Sequence, residues 1–179
     1  MPFTVKQRGV LKGITIGAAT TLVVIVSAIL VGQMVLPTEV VVAQRIAFAI
    51  ASDTFIALWL GISIGLLAKH RFFTPEDIDG GGLTQGTARA NVLQATLQNT
   101  LEQAVLAVLV HLSWATLMPV SWILAIPAAV LLFLLGRALF VRGYSAGAPS
   151  RAFGFALTFY PSMLMLVILI GAIGWKLFH

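Results

Sequence analysis

A row of hydrogen-bonding side chains interrupts an otherwise apolar segment near the middle of the chain. Asn91, Gln94, Gln98 and Glu102 recur at spacings of three or four, so a helix would place them on one face. Asn99 lies beside that face, one turn before Glu102. A charged group at membrane depth costs from about 3 to more than 10 kcal/mol, so such residues pair or line water-filled cavities. We therefore predict that this face forms one wall of a polar site.

Basic and aromatic side chains that could oppose this wall lie further along the chain. Arg137 and Tyr144 are seven residues apart at the end of a later apolar segment, so one helical face would hold both. Arg151 begins the next apolar segment. We predict that these ends meet the polar wall at one membrane surface, with Arg137 and Arg151 as the fixed charges of an anion-accepting pocket. Arg142 is interpreted as an ordinary basic residue at the membrane surface.

The elements that must position these residues are membrane helices. Of the 179 residues, 59% are hydrophobic and 9% charged, whereas a soluble domain has about 25% charged residues. The net charge of +5 comes from dispersed residues, with no basic run, which excludes a nucleic-acid-binding surface. There is no Cys, so a thiol used in chemistry must come from a substrate. Five apolar stretches are each long enough to span a bilayer: 13–36, 44–69, 88–117, 120–142 and 153–177.

The positions of Lys and Arg predict the orientation. Alternate connections would place nine of them on one side: Lys6, Arg8, Lys12, Lys69, Arg71, Arg89, Arg137, Arg142 and Arg151. The other side would hold Arg45 and Lys176. This asymmetry predicts a multi-pass protein with a cytoplasmic N-terminus, and we expect a bacterial inner membrane. The first stretch is too long for a signal-peptide core and is interpreted as an uncleaved membrane anchor.

Several other residues could carry chemistry, but their patterns favour structural roles. Asp53, in the second stretch, is expected to pair with Arg45 or with a polar group on a neighbouring helix. His111 is a lone His and is expected to form a structural hydrogen bond. No second His or carboxylate stands at ligand spacing, so no metal site is predicted. The Trp residues are expected to form an interfacial belt: Trp59, Trp114, Trp122 and Trp175.

The order and spacing of the polar residues resemble those of the MAPEG family, the membrane-associated proteins of eicosanoid and glutathione metabolism. The resemblance covers roughly residues 45–178. It rests on Asn99-x-x-Glu102, Gly136-Arg137, Gly143-Tyr144, and Arg151 seven residues after the Tyr. It implies a four-helix transmembrane bundle that forms homotrimers and binds glutathione between subunits. We accordingly divide the chain into an extra N-terminal transmembrane helix, 1–40, and a MAPEG-like four-helix domain, 41–179.

The resemblance also implies roles for individual residues. Arg151 occupies the place of the family Arg that stabilises the glutathione thiolate, and would be the catalytic residue. The residues expected to bind glutathione or shape its site are Gln98, Asn99, Glu102, Arg137 and Tyr144. The implied function is a glutathione-dependent membrane transferase or peroxidase that acts on lipophilic electrophiles within the bilayer.

Four positions depart from the pattern of the family. Ala95 and Val92 stand where members that use glutathione often carry Arg. Phe140 stands where the synthases often carry Tyr, and Gln103 where some members carry Tyr. These departures leave an alternative open, a non-catalytic MAPEG-fold protein that binds lipid or a protein partner. A third hypothesis is a proton-coupled transporter that uses Glu102 and Asp53.

Overall fold

Five long helices make up the computed structural model, which describes residues 2–178. They are α1 (Val5–Val35), α2 (Val42–Phe72), α3 (Ala88–Leu117), α4 (Ala125–Gly143) and α5 (Ala148–Phe178). Short 3-10 turns occupy Pro75–Asp77, Val120–Trp122 and Tyr144–Ala146. All five helical regions are long and apolar enough to cross a membrane. The expected all-α membrane bundle with one additional N-terminal helix is confirmed.

The helices alternate in direction, so α1, α3 and α5 run parallel to one another. The most extensive helix pairs are α1 with α5, α4 with α5, and α2 with α3. One end of the bundle therefore holds the starts of α1, α3 and α5 and the ends of α2 and α4. We call this the site end, because the predicted site residues lie there. The long connection between α2 and α3 lies at the site end as well.

Glycine allows two of these helix pairs to approach closely. A Cβ on Gly17 of α1 would stand 2.4 Å from the Cβ of Ala156 in α5. A Cβ on Gly154 of α5 would stand 2.4 Å from the backbone nitrogen of Phe140 in α4. Small residues let membrane helices pack backbone against backbone, where dispersion contacts replace the missing hydrophobic driving force. The first helix is therefore packed against the remainder of the bundle, and α4 and α5 are in direct contact beside Arg137.

The main apolar core lies away from the site end. It is built around Trp114, Ile126, Met165 and Ile25, all of which are fully buried. The indole N–H of Trp114 donates to the backbone carbonyl of Trp122 at 3.0 Å. Trp114 lies near the end of α3, as expected, but its side chain is buried in the bundle, where this hydrogen bond satisfies its one polar atom.

Candidate functional site

The polar wall of α3 and the facing ends of α4 and α5 surround one cavity at the site end. Its volume is about 390 Å³, within the range of roughly 300–1,000 Å³ common for small-molecule sites. The lining residues are Ala95, Gln98, Asn99, Glu102, Phe140, Tyr144, Arg151 and Phe155. The structure thus brings together five of the six predicted site residues, and places Arg137 behind the wall.

Arg151 lies in the first turns of α5 and is partly exposed. Its guanidinium carbon stands 4.2 Å from the centre of the Tyr144 ring, a cation–π arrangement that fixes its position. Within residues 2–178 it has no hydrogen-bond or ion-pair partner. The positive end of the α5 dipole adds to its field. Arg151 is therefore a cation with its donors available to an anion in the cavity.

Arg137 has the opposite environment, because solvent reaches none of its surface. Its guanidinium donates to Asn99 Oδ1 at 2.8 Å and to Thr158 Oγ1 at 2.7 Å. The Phe140 ring centre lies 4.4 Å from the guanidinium carbon. No carboxylate pairs with it within residues 2–178. Neutral acceptors and an aromatic face therefore hold this buried charge, and Arg137 supports the cavity wall from behind.

This contact orients the amide of Asn99. A guanidinium has donors only, so the amide oxygen of Asn99 must face Arg137. The amide NH₂ group is then turned away from Arg137 and left for the cavity that Asn99 lines. Arg137 thus acts on the cavity indirectly, by fixing a donor of Asn99 toward it. Thr158 was missed by the sequence reasoning, since a lone Thr in an apolar helix carries no pattern that marks it.

Glu102 and Gln98 form the outer part of the wall. Gln98 Nε2 donates to Glu102 Oε1 at 3.0 Å, along the same helix. Both side chains are exposed on the single chain. No cation pairs with Glu102 within residues 2–178. A carboxylate about 21 Å along a helix, at 1.5 Å per residue, is near mid-membrane and needs a partner there.

Asp53 and His111 form a separate buried pair between α2 and α3. The Asp53 Oδ1 and His111 Nδ1 atoms are 2.6 Å apart, and both side chains are buried. The structural hydrogen bond expected for His111 is confirmed, and Asp53 takes the second of its two expected partners. The sequence held a weak signal for this pair, since Asp53 lies eleven residues after the start of α2 and His111 lies six residues before the end of α3, toward the same end of the bundle. Asp53 has no contact with the cavity that Glu102 lines.

The connection between α2 and α3 is fixed by Asp77. Its carboxylate accepts the Thr87 hydroxyl at 2.6 Å and the Thr87 backbone N–H at 2.8 Å. His70 Nε2 lies 3.0 Å from the same carboxylate. The hydrogen bond from the Thr87 side chain holds the pKa of Asp77 below its ordinary value of 3.8. Burial acts in the opposite direction, because it disfavours the charged carboxylate. The Thr87 backbone N–H and His70 lower the pKa further, by smaller amounts. Thr87 also caps α3, so this network sets where the polar wall begins.

A second polar cavity of about 320 Å³ continues the same wall toward the α2–α3 connection. Asn91 and Gln94 line it together with Arg71, whose guanidinium donates to Gln94 Oε1 at 3.0 Å. The polar face predicted on α3 therefore borders two cavities. Neither is filled by side chains of the same chain.

Comparison with known proteins agrees with this arrangement. The family model for the MAPEG family matches residues 14–171, from within α1 to within α5. No curated protein and no solved structure gives a match. The family match reaches into all five helices and includes every residue that borders the main cavity. The chain therefore belongs to the MAPEG family.

Proposed function

We propose that the chain is a glutathione-dependent transferase or peroxidase that acts on lipophilic electrophiles in the membrane. Membership of the MAPEG family supports glutathione-related or eicosanoid-type chemistry in general. The observation that carries the finer proposal is Arg151, a cation with no anionic partner within residues 2–178, on the wall of a polar cavity.

The proposed chemistry follows from that charge. A free thiol has a pKa near 8.5, and an adjacent guanidinium lowers the pKa because it stabilises the thiolate. The thiol proton passes to water, because the guanidinium is already fully protonated and cannot accept it. With an epoxide, the sulfur forms a bond to carbon, the carbon–oxygen bond breaks, and the alkoxide takes a proton from water. Asn99 and Tyr144 contribute polar groups around the tripeptide.

The proposed site is completed by a neighbouring subunit. Asn91, Gln94, Gln98 and Glu102 are all exposed on the single chain, although they lie on a helix that spans the membrane. Hydrocarbon offers these groups no hydrogen bonds, so a lipid-facing position is costly. A homotrimer, the assembly general in this family, would cover the row and supply the missing cation for Glu102.

The Lys and Arg asymmetry supports a cytoplasmic site end, where glutathione is available, and we keep the bacterial inner membrane as the proposed location. The rings of Phe140 and Phe155 give the same cavity an apolar wall. They suit the proposed lipophilic electrophile, which would enter from the bilayer.

Replacing Arg151 with Gln tests this proposal. The wild-type protein in nanodiscs is expected to bind glutathione saturably and to show the ultraviolet absorbance of a thiolate at neutral pH. The Arg151→Gln variant is expected to lose this absorbance and to regain it only as the pH approaches the free-thiol pKa, near 8.5. Arg8→Gln is the matched control, because Arg8 is an exposed cation at the same end and lines neither cavity.

If the wild-type protein binds no glutathione at millimolar concentration, the proposal is wrong. If Arg151→Gln keeps the thiolate absorbance at neutral pH, Arg151 does not stabilise the anion. Loss of the absorbance in both Arg151→Gln and Arg8→Gln would indicate a general effect of net charge.

Two positions in the cavity favour a second candidate, a non-catalytic protein that binds lipid or a protein partner through the same cavity. Ala95 and Phe140, which lack the polar groups of relatives that use glutathione, both line the cavity. With these two residues, the cavity offers fewer polar groups to hold a doubly carboxylated tripeptide. Saturable binding of a fatty acid without binding of glutathione would favour this candidate.

A further inference from the structure

A second basic cavity lies at the opposite end of the bundle. Two of the eleven Lys and Arg residues are placed there, Arg45 and Lys176. Arg45 lies in the first turn of α2 and Lys176 in the last turn of α5. The two residues are far apart in sequence, yet both line one cavity of about 470 Å³. The two cations that oppose the general charge asymmetry of the chain therefore converge.

Packing and a hydrogen bond fix the shape of this cavity. The guanidinium of Arg45 donates to the backbone carbonyl of Met118, which attaches it to the turn between α3 and α4. Trp122 lines the cavity from that turn, and Trp175 lines it from α5. The carbonyl of Trp122 accepts the Trp114 indole N–H, so the wall that it forms is anchored to the core. Ala172, one turn before Lys176, adds an apolar surface.

Among residues 2–178, no acidic side chain compensates the charges of this cavity. No Asp or Glu is among its described lining residues. Glu39 lines an adjoining cavity together with Arg45, but the two form no ion pair within the described residues. Lys176 has no hydrogen-bond or ion-pair partner among residues 2–178. Two cations that share a cavity repel one another, and an anion between them would relieve the repulsion.

We propose that this cavity binds the phosphate of an anionic membrane phospholipid. Arg45 and Lys176 would contact the phosphate oxygens, and Trp122 and Trp175 would pack against the glycerol and the first acyl carbons. A lipid fits better than free phosphate because Trp side chains and an apolar wall flank the cations at a helix end, where headgroups lie. An anionic headgroup fits better than a zwitterionic one because no carboxylate among the described residues lines the cavity to receive an ammonium group.

The experiment is native mass spectrometry and thermal unfolding of the detergent-purified protein, titrated with phosphatidylglycerol, phosphatidylcholine or inorganic phosphate. The wild-type protein is expected to bind one phosphatidylglycerol per subunit tightly and to unfold at higher temperature when it is bound. The double variant Arg45→Gln/Lys176→Gln is expected to bind this lipid at least about tenfold more weakly, since removal of a single hydrogen bond to a charged group already weakens binding by about that factor. Arg8→Gln/Lys12→Gln, which removes two exposed cations at the site end, is expected to bind like the wild type.

Because Arg45 also holds the α3–α4 turn, its replacement could disturb the fold, and Lys176→Gln alone serves as a second variant at an exposed position. Wild-type affinity in Lys176→Gln and in a folded double variant would overturn the proposal. Equal binding of phosphatidylcholine would show a site without preference for anionic lipid, and equal stabilisation by inorganic phosphate would show a free-phosphate site. Either result would overturn it as well.

Discussion

Replacing Asn99 with Leu is expected to destabilise the bundle through Arg137. No solvent reaches Arg137, and its side-chain acceptors within the described residues are Asn99 Oδ1 and Thr158 Oγ1. A hydrogen bond to a charged group contributes roughly 1.5–3 kcal/mol, and removal of the partner of a buried charge costs about 3–5 kcal/mol. Thr158 and the Phe140 ring remain in Asn99→Leu, so we expect a loss of about 2–3 kcal/mol, near the lower of these ranges.

A double-mutant cycle isolates this hydrogen bond. The free energy of unfolding is measured by titration with dodecyl sulfate in mixed micelles for Asn99→Leu, Arg137→Met and the double variant. In the Arg137→Met background there is no buried charge, so Asn99→Leu removes no acceptor that a charge needs. We therefore expect the double variant to be more stable, by at least about 1.5 kcal/mol, than the sum of the two single effects predicts. A second cycle of Gln98→Leu with Arg137→Met is the control, since Gln98 bonds only to Glu102 among the described residues.

Additive effects in the Asn99–Arg137 cycle, within about 0.5 kcal/mol, would refute the assignment of Arg137 as a buried charge that depends on Asn99. Coupling of equal size in the Gln98 cycle would show that the whole wall responds to Arg137. In that case the effect could not be assigned to the single hydrogen bond.

Three further predictions concern other parts of the bundle. Gly17→Ala places a Cβ 2.4 Å from Ala156 and is expected to cost about 1–3 kcal/mol of unfolding free energy by overpacking, whereas Gly61→Ala, with nothing within 4 Å, is expected to be nearly neutral. Asp53→Leu leaves His111 without its partner and is expected to lower the free energy of unfolding by about 3 kcal/mol or more. Adding His111→Leu should restore much of this loss, and a double variant less stable than either single variant would contradict the prediction. The pKa of Asp77 is lower in the fold than in the unfolded chain, so its contribution to stability is present above pH 3.8 and is lost as the pH falls through the folded pKa. Proteolysis of the α2–α3 connection should therefore rise at acidic pH, and Asp77→Asn should raise it already at neutral pH.

The helices are well predicted from the sequence because their signal is local. Continuous apolar stretches longer than about 20 residues have few other structures available in a membrane. The predicted bounds of α3 agree with the structure to the residue, since Thr87 caps its start and Pro119 follows its end. The predicted start of α1, at 13, differs from the observed start at Val5, because the basic residues before 13 suit a surface segment. A Thr4 capping box with Gln7 in fact begins the helix before them.

The α1–α5 contact was not predicted, although its signal was present. Gly9, Gly13 and Gly17 recur every four residues on α1, and a Cβ on any of them would stand within 3 Å of α5. Small residues at this spacing indicate a helix–helix contact, but they do not identify the partner helix. The partner depends on the arrangement of all five helices, which no local pattern contains. For the same reason, Asp53 and His111 stood out in the sequence as isolated polar residues, but their pairing was not predicted.

The two predicted site arginines show where sequence reasoning reached its limit. From the sequence, Arg137 and Arg151 were expected to have the same role, as two cations at one membrane surface that face one polar wall. Packing separates them, because Gly136 and Gly154 bring the α4 and α5 backbones into contact and leave Arg137 between Asn99 and Thr158. Arg151, at the start of α5, lies beyond that contact and keeps its donors for the cavity. A buried guanidinium with neutral partners can fix the geometry of a site, but only the exposed one can exchange water for an anionic ligand, so the two arginines divide positioning and binding between them.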